Sequence, residues 1–150
     1  MSAGTTPLQA RRLDNSWFPL FAAWLIALVA TLGALVIGEV MGKTPCLLCW
    51  YQRAFMFPLA IMLAVACYSA DASVWRYGLP VAVTGLIIAL YHNLVFWGLL
   101  PEEVQPCTAT GPSCSNADLN LIGFIPIPAL SLGAFVALTT LFLIIRRRLS

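Results

Sequence analysis

The chain has 150 residues, 61% of them hydrophobic and only 9% charged, against about 45–50% and about 25% in soluble domains. That balance excludes an ordinary soluble enzyme or nucleic-acid-binding domain and leaves room for little besides membrane-spanning segments. The net charge of +2 is informative through the positions of the basic residues rather than through its size.

Four apolar runs, roughly 17–38, 50–70, 79–100 and 121–145, each reach the ~20 residues that a helix needs to cross a ~30 Å hydrocarbon core. Arg11 and Arg12 precede the first run. At about 22 residues it exceeds the ~7–15 of a signal-peptide core, and no clear small-residue cleavage site follows, so an uncleaved span is expected. A short loop at about 39–49 then leads into TPCLLCWYQR, a CxxC pair with Arg53 one helical turn beyond it. Thr44-Pro45 predicts an N-cap followed by proline at the first helical position, which puts Cys46 at the second. DASVWRYG, with Arg76, forms the tight turn between spans two and three. Span three carries Tyr91-His92-Asn93. The loop at about 101–120, PEEVQPCTATGPSCSNADLN, holds Cys107 and Cys114, and Pro126 and Pro128 mark the start of regular helix in span four. Arg146, Arg147 and Arg148 follow that span.

Basic residues gather in cytoplasmic loops. Arg11, Arg12, Arg76 and Arg146–Arg148 therefore put both termini inside and the two cysteine-bearing loops outside. Short connections make successive spans antiparallel neighbours. The expected fold is all-α: one membrane domain over 1–150, a four-helix bundle with up-down-up-down topology. The arginine tail is a topology anchor, and no nucleic-acid partner is expected.

Cys46, Cys49, Cys107 and Cys114 all fall on the external side, where an oxidising compartment such as the periplasm lets disulfides persist. The fifth cysteine, Cys67, lies 18 residues past Cys49, about 27 Å along a helix, and suits a buried small apolar position. Helix N-termini and neighbouring cations favour the thiolate, which is the nucleophilic form. The CxxC has both: a predicted helix start beside Cys46, and Arg53 four residues after Cys49. A structural disulfide or half of a zinc site are the alternatives. Zinc would need Cys107 and Cys114 to complete a four-cysteine set, and their six-residue separation is wider than usual zinc spacing. No metal is therefore expected. The ~7 residues from Leu100 to Cys107 span up to ~23 Å when extended, so the second pair can reach the first. Arg53 and His92 are the ionisable residues expected inside spans, where charge is costly and function is the default reading. Both lie in the outer half, suggesting a polar recess beneath the CxxC suited to the oxygens of a lipid-soluble ring.

CLLCWYQR at the start of span two, YHN in span three and a PC…C pair in the second outer loop together resemble the DsbB family, over nearly the whole chain. The resemblance implies an inner-membrane thiol:quinone oxidoreductase that reoxidises a DsbA-like dithiol oxidase and supports disulfide formation. It also implies the roles of the residues. The partner attacks Cys107 of a Cys107–Cys114 disulfide, Cys114 attacks Cys46, and Cys49 delivers the electron pair to ubiquinone or menaquinone. Arg53 stabilises the Cys49 thiolate and the quinone, and His92 hydrogen-bonds a quinone oxygen. The sequence departs from the family in two places: the spacing between Cys107 and Cys114 is short, and Gln52 stands where some members carry glutamate. Two other readings stay open. One is a vitamin K epoxide reductase-like enzyme, which would normally place its loop cysteines before the CxxC. The other is a non-enzymatic membrane protein with structural disulfides.

Overall fold

The computed structural model describes residues 7–100 and 126–150. Every regular element among them is helical: α1 (Pro7–Leu35), extended by a π-helical turn (Val36–Val40), then α2 (Leu47–Tyr68), a 3-10 turn (Ala72–Val74), α3 (Trp75–Phe96) and α4 (Ile127–Leu149). Four helical segments are long and apolar enough to cross a membrane: Ser16–Val40, Leu47–Tyr68, Ala72–Phe96 and Ile127–Leu149. The expected all-α, four-span fold is met. The loop at about 101–120, with Cys107 and Cys114, lies outside the described residues.

Local chemistry sets the helix ends. The π-helical turn closes with Met41 N–H donating to Val36 O at 3.0 Å, and Gly42 follows in the left-handed conformation, φ 64°, that glycine adopts without a Cβ clash. At the end of α2 the chain reverses through Ala70, φ 51°, and Asp71 N–H donates back to Ala66 O at 2.9 Å. The Asp71 carboxylate then accepts from Ser73 N–H at 2.9 Å, capping the 3-10 turn that leads into α3. Pro126 is the N-cap of α4. That helix runs on through the arginines expected beyond its end, and lysine or arginine in a last turn complements the helix dipole. Arg146 lies 5.4 Å and Arg76 6.0 Å from the Trp75 ring, so the described basic residues of the turn and the tail share one end of the bundle.

The helices pack in cyclic order, α1 on α2, α2 on α3, α3 on α4 and α4 back on α1. In lipid there is no hydrophobic drive between helices, so close packing carries their association. The α3–α4 contact shows how. Gly78, Ala82, Gly85 and Ala89 are buried on one face of α3, following the helical spacing i, i+4, i+7, i+11. Phe142 and Phe135 of α4 lie so close to Gly78 and Gly85 that a Cβ at either position would collide with a ring. Phe135, Leu138, Phe142 and Ile145 are fully buried there. They join Leu59 and Leu63 of α2 and Ala23 and Ala27 of α1 in the central core. Cys67 is partly buried against this core.

Candidate active site

A cluster of polar side chains lies at the N-terminal end of α2 and the C-terminal end of α3. Helix α2 starts two residues later than predicted. Cys46 is its N-cap, with extended backbone (φ −69°, ψ 170°), and Leu47 is its first helical residue. Cys46 O accepts the first intrahelical bond, from Trp50 N–H at 3.1 Å. Proline favours an extended conformation in the residue before it, which suits Thr44 to the loop. The shift matters because it makes Cys49 the third helical residue. N-cap and N3 side chains face each other across a helix start, as they do in a capping box. The two sulfurs accordingly meet, Cys46 donating to Cys49 at 3.1 Å. Cys49, which the predicted start at Pro45 would make the fifth helical residue, instead lies in the first turn, where the positive end of the helix dipole favours an anion.

Behind the sulfurs stands His92, fully buried on α3. Its Nε2 lies 3.7 Å from Cys46 Sγ, and its Nδ1 lies 3.1 Å from Gln52 Nε2. With the Gln52 amide donating to Nδ1, the ring proton sits on Nε2 and points at Cys46. Next to His92, Asn93 donates through Nδ2 to Ala89 O and to Pro128 O, both at 2.8 Å. This ties α3 to the first turn of α4 and fixes the backbone that carries the imidazole.

Arg53 reaches the other way. Its guanidinium donates to Ala34 O at 2.7 Å and lies 5.6 Å from the Trp50 ring. Ala34 lies where α1 passes into the π-helical turn, so the guanidinium reaches a carbonyl at a change of helical pitch. The guanidinium also rests on Gly38, where a Cβ would come within 2.9 Å of Nη2. The π-helical turn and this glycine together make room for a cation against α1.

Between α1, α2 and α4 lies a cavity of about 580 Å³. Most of its wall is aliphatic or aromatic, from Leu25 and Val29 of α1 to Phe57 of α2 and Leu130 of α4. Its polar residues are few: Lys43, Thr44, Cys49, Gln52, Arg53 and Ser131. The structure thus brings Cys46, Cys49 and His92 into mutual contact and sets Cys49 and Arg53 on one cavity wall. His92 does not line that wall; it stands beside the sulfur pair, with its Nε2 nearest Cys46. Gln52, only 7% exposed, joins the two groups and was not selected as a site residue from the sequence. The signal was present: Cys49, Gln52, Arg53 and Met56 recur at i, i+3, i+4 and i+7 and share one helix face.

A family model described as "Disulfide bond formation protein DsbB" matches residues 16–145. A "Probable disulfide formation protein" of Metapseudomonas resinovorans is 57% identical over 89% of this chain and 92% of its own length. "Disulfide bond formation protein C" of Bacillus subtilis is 41% identical, over 78% and 84% of the two chains. A "Probable disulfide formation protein" of Deinococcus radiodurans is 38% identical over 87% and 90%. No solved structure matches significantly. With four membrane-length helices and a dithiol at the head of the second, the chain belongs to the DsbB family of multi-pass membrane proteins, oxidoreductases with a role in disulfide bond formation.

Proposed function

We propose that the protein is a thiol:quinone oxidoreductase that reoxidises a periplasmic DsbA-like dithiol oxidase and passes the electrons to a membrane quinone. One observation carries this reading: Cys49 touches Cys46 on one side and lines the apolar cavity on the other. A quinone supplies a two-electron, two-proton acceptor. The aliphatic wall suits an isoprenoid tail, while Arg53, and the polar edge around Cys49, suits ring oxygens.

The chain's own residues account for the thiol steps. The partner's thiolate attacks Cys107 of a Cys107–Cys114 disulfide and displaces Cys114 as a thiolate. Cys114 attacks Cys46 of the oxidised Cys46–Cys49 pair, and Cys49 leaves as a thiolate at the head of α2. The partner's second thiol closes its own disulfide and releases Cys107, which attacks Cys114 to re-form the Cys107–Cys114 disulfide and frees Cys46 as a thiolate. With a quinone to take two electrons and two protons the Cys46–Cys49 disulfide would re-form, so each turnover converts one partner dithiol to a disulfide and one quinone to quinol. Exchange is fastest when the leaving thiolate is stabilised. Arg53 on the cavity wall and the positive end of the α2 dipole serve Cys49. His92 serves Cys46, donating from Nε2 when that sulfur is released, and so acts on the thiol instead of directly on a quinone oxygen. The arginines at the opposite end of the bundle support placing both termini in the cytoplasm and the redox loops on the periplasmic side of the inner membrane.

The test is quinol formation, followed by absorbance, with reduced partner and quinone. Turnover is expected in wild type and lost in Cys46→Ser, Cys49→Ser, Cys107→Ser and Cys114→Ser. Undiminished turnover in all four variants would defeat the relay.

A further inference from the structure

Sulfur and imidazole nitrogen in mutual contact are also the donors that soft metal ions select. The ligand atoms of Cys46, Cys49 and His92 all lie within 4.8 Å of one another. We propose that the reduced Cys46–Cys49 pair and His92 form a three-donor site for a soft divalent cation of the zinc group, and that occupancy withholds the pair from disulfide formation.

Geometry, orientation and charge support this independently. Tetrahedral zinc with Zn–S ~2.3 Å and Zn–N ~2.0–2.1 Å places sulfur about 3.8 Å from sulfur and about 3.6 Å from nitrogen. The Cys46–His92 separation is already 3.7 Å. The sulfurs, at 3.1 Å, need to open by about 0.7 Å, and Cys49 faces a cavity that permits it. Metal-bound histidines are oriented by a hydrogen bond at the other ring nitrogen, and Gln52 makes that bond to Nδ1. A half-turn of the amide presents its oxygen instead, accepting from Nδ1–H and leaving Nε2 bare for a metal. Two thiolates and a neutral imidazole around a divalent ion sum to zero charge. A monovalent ion would leave a net negative charge next to fully buried Cys46 and His92, which is costly. On binding, both thiols release their protons to solvent and no electrons move. The four-cysteine zinc arrangement weighed from the sequence used no histidine, because nothing in the spacing brings a residue of span three to the CxxC.

The inference uses the dithiol of the proposed relay but neither its partner nor a quinone, so it can fail or hold separately. The probe is Co2+, titrated anaerobically into the full chain in detergent after phosphine reduction and desalting. The expected result is one equivalent bound with thiolate-to-cobalt charge-transfer absorption and the ligand-field bands of a four-coordinate ion. The same wild-type protein oxidised with diamide should show neither, a comparison that needs no variant to fold. Cys46→Ser and Cys49→Ser should abolish the charge-transfer band, and His92→Ala should weaken binding by at least the ~10–100-fold typical of lost supporting contacts. The Cys107→Ser/Cys114→Ser double variant should still bind one equivalent. No absorption in the reduced wild type, equal absorption after oxidation, or unchanged affinity in His92→Ala would overturn the proposal. Loss of binding in the double variant would overturn it in favour of a four-cysteine clip.

Discussion

Adding one methyl group at Gly38 should mislocate Arg53 without unfolding the protein. A Cβ there would lie 2.9 Å from Arg53 Nη2 and 3.2 Å from Nη1, well inside contact distance. The obstructing atoms are the far end of a flexible side chain, so the arginine is what moves. Alanine is also the better helix former, by about 1 kcal/mol, which removes helix destabilisation as an explanation for any loss. Displacement breaks the 2.7 Å bond to Ala34 O. Hydrogen bonds to charged groups contribute about 1.5–3 kcal/mol, and each ~1.4 kcal/mol is tenfold in affinity. Gly38→Ala should therefore raise the apparent KM for quinone about 10–100-fold, approaching the effect of Arg53→Ala. The assay is quinol formation at saturating reduced partner with quinone varied. In parallel, formation of the mixed disulfide between the partner and Cys107 in the absence of quinone, read by gel shift, should keep its wild-type rate, because that step does not release Cys49. A wild-type KM in Gly38→Ala alongside a raised one in Arg53→Ala would refute the positioning by α1. An unchanged KM in both would remove Arg53 from the quinone site.

Gln52→Leu removes the hydrogen bond that orients His92, worth about 0.5–1.5 kcal/mol. It should slow alkylation of Cys46 by up to ~10-fold in a background where the other cysteines are serine; an unchanged rate would mean the imidazole is held by its packing alone. Gly85→Leu drives a side chain into Phe135, and overpacking of this kind costs about 1–3 kcal/mol or more. It should lower the unfolding midpoint in detergent, while a wild-type midpoint would contradict the close α3–α4 approach. Asn93→Leu loses its bonds to Ala89 O and Pro128 O. Only the bond to Pro128 O crosses between helices, and such bonds in membranes average ~0.6 kcal/mol and reach ~1.7, so about 0.6–1.7 kcal/mol of stability should go, measured the same way.

The fold was legible in the sequence because lipid leaves few choices: an apolar run of membrane length must be a helix, since its backbone has no other hydrogen-bond partner there. Helix ends were less legible. Thr44-Pro45 satisfies the pattern for an N-cap and first residue, yet the helix opens at Leu47 with Cys46 as the cap. The Cys46–Cys49 contact follows from that register, which depends on one backbone angle at Cys46. Arg53 was visible as a charge in a span, but its partner was not. Ala34 O is a backbone atom 19 residues away, and the π-helical turn that presents Gly38 carries no residue pattern of its own. His92 was likewise visible as a polar residue in span three, whereas its position behind Cys46 depends on how α3 is rotated against α2. Gln52 shows the reverse case, since its helix face was readable and only its burial was missing.

The most direct measurement mixes the protein anaerobically with a limiting amount of reduced dithiol oxidase and excess quinone, then counts quinol and partner disulfide in the same vessel. The proposed electron path from Cys107 to Cys49 requires one quinol for each partner disulfide turned over by wild type, using ubiquinone or menaquinone according to the protein's preference. With Cys49→Ser it requires no quinol, and no partner disulfide beyond the one equivalent that the Cys107–Cys114 pair supplies. Partner disulfide accumulating beyond that equivalent without quinol, or equal amounts of both from Cys49→Ser, would contradict it.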